Sequence, residues 1–85
     1  MSQIKIGVLI SGGGSNLQAI IDNIENASIN GEIKLIISNK ENAYGLVRGK
    51  KHNIETLWVD RKLFSSEEEF NLKVVEEFKK RNIEL

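Results

Sequence analysis

Residues 4–21 pass from a mostly apolar run through a glycine turn into a helical pattern, and that order restricts the chain more than any other feature. The run is Ile4-Lys5-Ile6-Gly7-Val8-Leu9-Ile10, the turn Ser11-Gly12-Gly13-Gly14-Ser15-Asn16, and the pattern Leu17-Gln18-Ala19-Ile20-Ile21. A helix opens with four backbone N–H groups that have no partner inside it. Its dipole adds roughly half a positive charge at that end. Together these attract a phosphate without a lysine or arginine. Gly12, Gly13 and Gly14 carry no Cβ, so the backbone can take positive φ and approach a ligand closely. Ser15 offers a hydroxyl and Asn16 an amide. Ser15 also suits the N-cap, with Gln18 three residues on to complete a capping box. A glycine turn with a serine cap also occurs at strand–helix joints that bind nothing. Three glycines in a row exceed what such a joint needs, because each costs folding entropy.

Two common phosphate motifs are excluded. A P-loop ends Gly-Lys-Ser/Thr, whereas Gly14 is followed by Ser15-Asn16. The dinucleotide fingerprint G-x-G-x-x-G fits Gly12 and Gly14 but meets Leu17 at its third glycine. It also expects an acid about 20 residues on to hold ribose hydroxyls. The second apolar run instead ends Ile36-Ile37-Ser38-Asn39. A simple phosphate monoester fits the turn better than an NAD-type cofactor.

The rest of the chain reads as alternating strands and helices. Strand one covers Ile4–Ile10 and, being mostly apolar, is expected to be buried on both faces of a parallel sheet. Helix one runs from Asn16 to Ala27, with Leu17, Ile20, Ile21 and Ile24 forming one stripe. Asn30-Gly31 makes a turn and strand two spans Ile33–Ser38. Helix two covers Ala43–His52; its Gly45 and Gly49 share a face and permit close packing, at about 1 kcal/mol each relative to alanine. Asn53 ends it in the left-handed conformation, and strand three is Glu55–Val59. Ser65 and Ser66 are both plausible caps for helix three, with Glu68 and Glu69 at the matching positions. Phe70, Val74, Val75 and Phe78 form its apolar stripe. Glu67–Glu69 at its start and Lys79, Lys80 and Arg81 at its end suit the helix dipole. The basic run reads as a solvated helix end.

This β-α-β-α-β-α order predicts an α/β fold, a three-layer Rossmann-like parallel sheet with right-handed crossovers. A fourth strand is expected to begin near Ile83, so residues 1–85 read as the front part of a larger domain. Eighty-five residues would bury only about 60% of their unfolded surface. Twelve basic and twelve acidic residues cancel, which gives no broad field for nucleic acid. With no cysteine and one histidine, disulfides and thiolate chemistry are excluded and a metal cluster is not expected. No apolar run reaches the ~20 residues of a membrane span, and the start lacks a signal peptide, so the expected location is the cytoplasm.

The stretch Val8 to Ile21 closely resembles the opening of the phosphoribosylglycinamide formyltransferase family. Ile37-Ser38-Asn39-Lys40, Ala43, Gly45-Leu46 and Ile54 agree with it, as do Phe64, Ser66, Glu68 and Phe70. The resemblance covers essentially the whole chain and implies the formyltransferase fold, of which only the first β-α-β-α-β-α portion is present. It implies transfer of a formyl group from 10-formyltetrahydrofolate to glycinamide ribonucleotide in purine synthesis. Gly14, Ser15 and Asn16 match the segment that binds the ribonucleotide, and Gly12 and Gly13 would shape the turn.

The family's catalytic asparagine, histidine and aspartate would lie beyond residue 85, so no catalytic residue is expected here and the isolated chain is expected to be inactive. Glu67 stands where the family often has an arginine near the folate, so that contact is not carried over. Gly49 replaces a usual alanine, which is expected to loosen helix two. His52 reads as a helix-end cation, Asp60 as a surface turn acid and Trp58 as a packing residue. The residues leave oligomeric state open, a homodimer included. Two rival readings remain: a different Rossmann-like nucleotide module, and an interaction domain whose glycine turn is only structural.

Overall fold

The computed structural model describes residues 4–11, 15–26, 28 and 30–83, with Ser15 described through its backbone alone. The order is β1 (Ile4–Ile10), α1 (Ser15–Glu25), β2 (Gly31–Ser38), α2 (Tyr44–Lys51), β3 (Thr56–Trp58), a 3-10 turn (Arg61–Leu63) and α3 (Glu67–Lys80). The strands form a parallel sheet in the order β1-β2-β3. The expected α/β alternation is present, with element ends shifted by one or two residues. The 3-10 turn is an addition: Asp60 caps it by accepting the Lys62 N–H at 2.9 Å.

Helices cover both faces of the sheet. Leu17 and Ile21 of α1, with Ala43 and Leu46, pack with Ile33 and Ile36. Phe70, Val74 and Phe78 of α3 pack with Leu35 and Ile37 on the other face. In a regular strand Ile33 and Leu35 would share a face. They do not, because the pairing shifts from Ile6↔Ile33 to Gly7↔Leu35. Lys34 is the extra residue of this bulge and reverses the alternation beyond it. Leu35, Ile36 and Ile37, on the central strand with a helix cluster over each face, are fully buried, each worth about 1.5–3 kcal/mol.

Strand β1 is less buried within the described residues than a strand covered on both faces. Ile6, Val8 and Ile10 face the α1 and α2 cluster and are only partly buried. Ile4 is 67% and Leu9 49% exposed. Among the three described strands it stands at the edge, so within these residues nothing covers its outer side. Helix α3 approaches it at Gly7, where an added Cβ would lie 2.6 Å from the Phe78 ring. A second close approach sets α2 on the sheet: a Cβ at Gly49 would lie 2.6 Å from Ile36 and 2.9 Å from Thr56. Glycine at 49 therefore serves packing here, where loosening was expected.

Both α2 and α3 end in the same way. Asn53 (φ 59°) and Asn82 (φ 60°) adopt the left-handed conformation. Ile54 N–H donates to the Gly49 carbonyl at 2.9 Å, and Ile83 N–H to the Phe78 carbonyl at 3.1 Å. These are Schellman closures. Ile83 is buried against the α3 cluster; it closes the helix, and the strand expected from that point falls on residues 84–85, outside the described residues. At the start of α3, Ser66 is the cap, its Oγ accepting the Glu69 N–H at 3.2 Å. The Glu69 carboxylate reaches back to the Ser65 hydroxyl at 2.8 Å.

Candidate functional site

All three strands deliver their C-terminal ends to one edge, where parallel α/β sheets bind ligands. Ser11 follows β1 and is exposed, and α1 begins at Ser15 with Asn16 exposed in its first turn. A strand end and a helix N-terminus thus flank the glycine turn, as the sequence pattern requires. Gly12, Gly13, Gly14 and the Ser15 side chain lie outside the described residues, and so does the Ser15 half of the expected capping box. Gln18 is described: its amide nitrogen donates to Asp22 at 3.0 Å and its oxygen accepts from Arg48 at 2.9 Å.

Arg48 is the residue that sequence reasoning missed. It projects from α2 to the first turns of α1, and its guanidinium also lies 4.8 Å from the Tyr44 ring centre. The two contacts hold the guanidinium between Tyr44 and Gln18, a residue in the first turn of α1. Gln18 and Arg48 are thirty residues apart, and no local pattern signals their meeting.

A second group of polar residues gathers beyond β2 and β3. The Ser38 hydroxyl, fully buried, donates to the Lys40 carbonyl at 2.8 Å and accepts the Lys40 N–H at 3.0 Å, which locks the chain after β2. Asn39 Oδ1 is buried with no hydrogen-bond partner among the described residues, a condition that costs roughly 1–3 kcal/mol. Trp58 is 41% exposed within these residues, so the described part of the chain does not pack over it. Ser11, Asn39, Trp58 and Asp60 share a cavity of about 540 Å³. Asp60 is the turn acid the sequence suggests, occupied in capping the 3-10 turn.

The clearly shifted ionisable groups lie at the opposite edge. Arg81, one residue past α3, holds Glu55 at 2.6 Å just before β3 and Glu77 at 3.0 Å. Hydrogen bonds from Lys73 and then Arg81 pull the Glu77 carboxyl down to about 2. The hydrogen bond from Arg81 lowers Glu55, and Glu55 in turn raises Arg81. His52 caps α2 and its Nδ1 lies 3.1 Å from Glu25 of α1. That placement suits a structural tie between two helix ends. Among the described residues no cluster of three acids or histidines is arranged to hold a metal, and no helix is long and apolar enough to cross a membrane.

Residues 4–85 match the sequence model of the formyl transferase family. The chain belongs to the formyl transferase family. Over 52 residues it is 65% identical to a phosphoribosylglycinamide formyltransferase of Dictyostelium discoideum, covering 61% of this chain and 25% of that protein. A phosphoribosylglycinamide formyltransferase of Haemophilus influenzae is 52% identical over 62 residues, which are 73% of this chain and 29% of that one. The crystal structure of glycinamide ribonucleotide transformylase 1 from Symbiobacterium toebii superposes with a TM-score of 0.92 at 36% identity, covering 98% of this chain and 39% of the other. This formyl transferase chain therefore spans between a quarter and two fifths of these relatives. Its α/β layers agree with the formyl transferase fold.

Proposed function

We propose that this chain supplies the ribonucleotide-binding part of an enzyme that transfers a formyl group from 10-formyltetrahydrofolate to glycinamide ribonucleotide in purine synthesis. The observation that carries this reading is the start of α1 at the ligand-binding end of β1, within a chain whose relatives bear that name. Gly12, Gly13, Gly14, Ser15 and Asn16 would hold the substrate's 5′-phosphate by backbone N–H groups, a hydroxyl and an amide. Arg48, fixed by Gln18 and Tyr44, adds positive charge beside them. Anchoring the phosphate fixes the glycinamide amine relative to the formyl donor, and such positioning lowers a barrier by removing lost motion beforehand.

The described residues offer no constellation for moving the amine's proton. His52 is engaged with Glu25 at the far edge, and Asp60 caps a turn. The proton-transfer groups are assigned to the part of the enzyme that these 85 residues do not span, and the chain alone is expected not to turn over. The donor is treated as a substrate bound largely outside this chain. Glu67 is exposed and paired with Arg61 at 3.3 Å, so it offers no cation to a folate carboxylate. In the cell the enzyme is placed in the cytoplasm.

Titration calorimetry of the full-length protein with glycinamide ribonucleotide tests the reading. Asn16→Ala should weaken binding by about tenfold, one charge-assisted hydrogen bond. Unchanged affinity in Asn16→Ala and Ser15→Ala would remove the turn from the site.

A further inference from the structure

We infer that Arg48 is a positioning residue for the phosphate turn: by holding the Gln18 side chain, it keeps an internal acceptor away from the first N–H groups of α1, which the substrate's phosphate then takes. This rests on the ribonucleotide reading above and deepens it, from what the turn binds to what keeps the turn open.

The argument begins with spacing. Gln18 stands three residues after Ser15, where α1 begins. At that spacing a glutamine side chain can fold back onto the N–H groups that open a helix. A phosphate needs the same N–H groups, which have no partner inside the helix. The structure turns Gln18 elsewhere. Its oxygen accepts from Arg48 Nη1 at 2.9 Å, and its amide nitrogen donates to Asp22 at 3.0 Å. The two partners allow only this orientation, because a flipped amide would set its NH2 against the guanidinium and its oxygen against the carboxylate.

The hold on Gln18 comes from outside α1. The guanidinium lies 4.8 Å from the ring centre of Tyr44, one turn earlier on α2. Helix α2 itself sits close on the sheet at Gly49, beside Ile36 and Thr56. Arg48 thus ties the first turn of α1 to a helix seated on the sheet. Asn16, in the same turn, is exposed, so a ligand can reach this end of the helix. A lysine at 48 would keep the charge and lose the planar fork that meets an amide oxygen and a ring together.

The test is steady-state kinetics of the full-length protein, with glycinamide ribonucleotide varied at saturating 10-formyltetrahydrofolate. Arg48→Met releases Gln18 and should raise the KM for the ribonucleotide about fivefold, the effect of one neutral hydrogen bond, with kcat held within about twofold. Gln18→Leu alone removes the competing acceptor and should leave KM unchanged or lower. Combining Arg48→Met with Gln18→Leu should restore the original KM, because no acceptor remains to occupy the N–H groups. A combined variant as weak as Arg48→Met would assign the loss to charge or to α2 packing and overturn the proposal. An unchanged KM in Arg48→Met overturns it too, as does a KM raised about fivefold by Gln18→Leu alone. Circular dichroism checks folding, and Arg48→Ala, with the same expectation, replaces an Arg48→Met that does not fold. Asn16→Ala separates the two readings. If it leaves KM unchanged, the phosphate turn itself fails; if it raises KM while the combined variant is not restored, only the role given to Arg48 fails.

Discussion

The two edges of the sheet use polar side chains in opposite ways. At the edge where strands begin, charged groups find one another: Arg81 with Glu55 and Glu77, His52 with Glu25, Lys34 with Glu32. At the edge where strands end, Asn39 Oδ1 has no partner among the described residues and Trp58 is partly exposed. Satisfied polar groups occur there too, Ser38 with Lys40, Asp60 with Lys62 and Arg61 with Glu67. The difference separates a charge network that ties α3 to the start of β3 from an edge where one acceptor and one indole are left without such ties. A buried acceptor left open costs stability.

Substitutions at the two edges should therefore have opposite consequences, which the urea midpoint of the full-length protein and ligand titrations can separate. The largest effect is expected from the packing that joins α3 to the sheet. Phe78→Ala should cost about 3–5 kcal/mol, because the ring fills the space above Gly7. Next comes the paired edge. Arg81→Ala leaves Glu77, 7% exposed, with a weakened set of partners and should cost about 2–3 kcal/mol. The acid limb carries the sign. The folded Glu77 carboxyl titrates near 2 against an ordinary 4.5, so its contribution is complete above pH 4.5 and disappears as pH falls toward 2. Glu77→Gln should flatten stability across that window and leave the neutral limb's slope unchanged.

Gly49→Ala should have a smaller effect, about 1–2 kcal/mol, since the methyl meets Ile36 and Thr56 and their side chains must shift. Helix propensity works in the other direction by about 1 kcal/mol, so a neutral or stabilising result would show that the α2 contact is softer than the 2.6 Å approach suggests. The smallest stability change belongs to the open edge. Asn39→Leu should be neutral or raise stability by up to about 1 kcal/mol, because it removes an unsatisfied acceptor. A loss as large as that of Arg81→Ala would erase the distinction between the edges.

Much of the fold could be read along the chain because its signals are local. The apolar stripe of Phe70, Val74 and Phe78, the Ser66 cap and the left-handed Asn53 each depend on neighbours within a few residues. What could not be read depends on distant partners. Strand β1 has the composition of a buried strand, and which side of it is paired within these residues is decided by the sheet order, which leaves it at the edge of the three described strands. The bulge at Lys34 arises from register between strands. Arg48 reaches Gln18 across thirty residues and Arg81 reaches Glu55 across twenty-six. Asn39 was noted in the sequence for the acid it lacks, and its open acceptor appears only once the surrounding chain is folded. For the glycine turn, the strand and helix that flank it stand where the motif requires, and residues 12–14 lie outside the described ones.

The most direct measurement of the central reading is a calorimetric titration of the full-length protein with glycinamide ribonucleotide, paired with the same substrate lacking its 5′-phosphate. The expected result is saturable binding of the ribonucleotide, weakened at least about tenfold by loss of the phosphate, with Asn16→Ala affecting only the phosphorylated ligand. Equal affinity for both ligands, or an Asn16→Ala effect of the same size on each, would contradict a phosphate site at the start of α1.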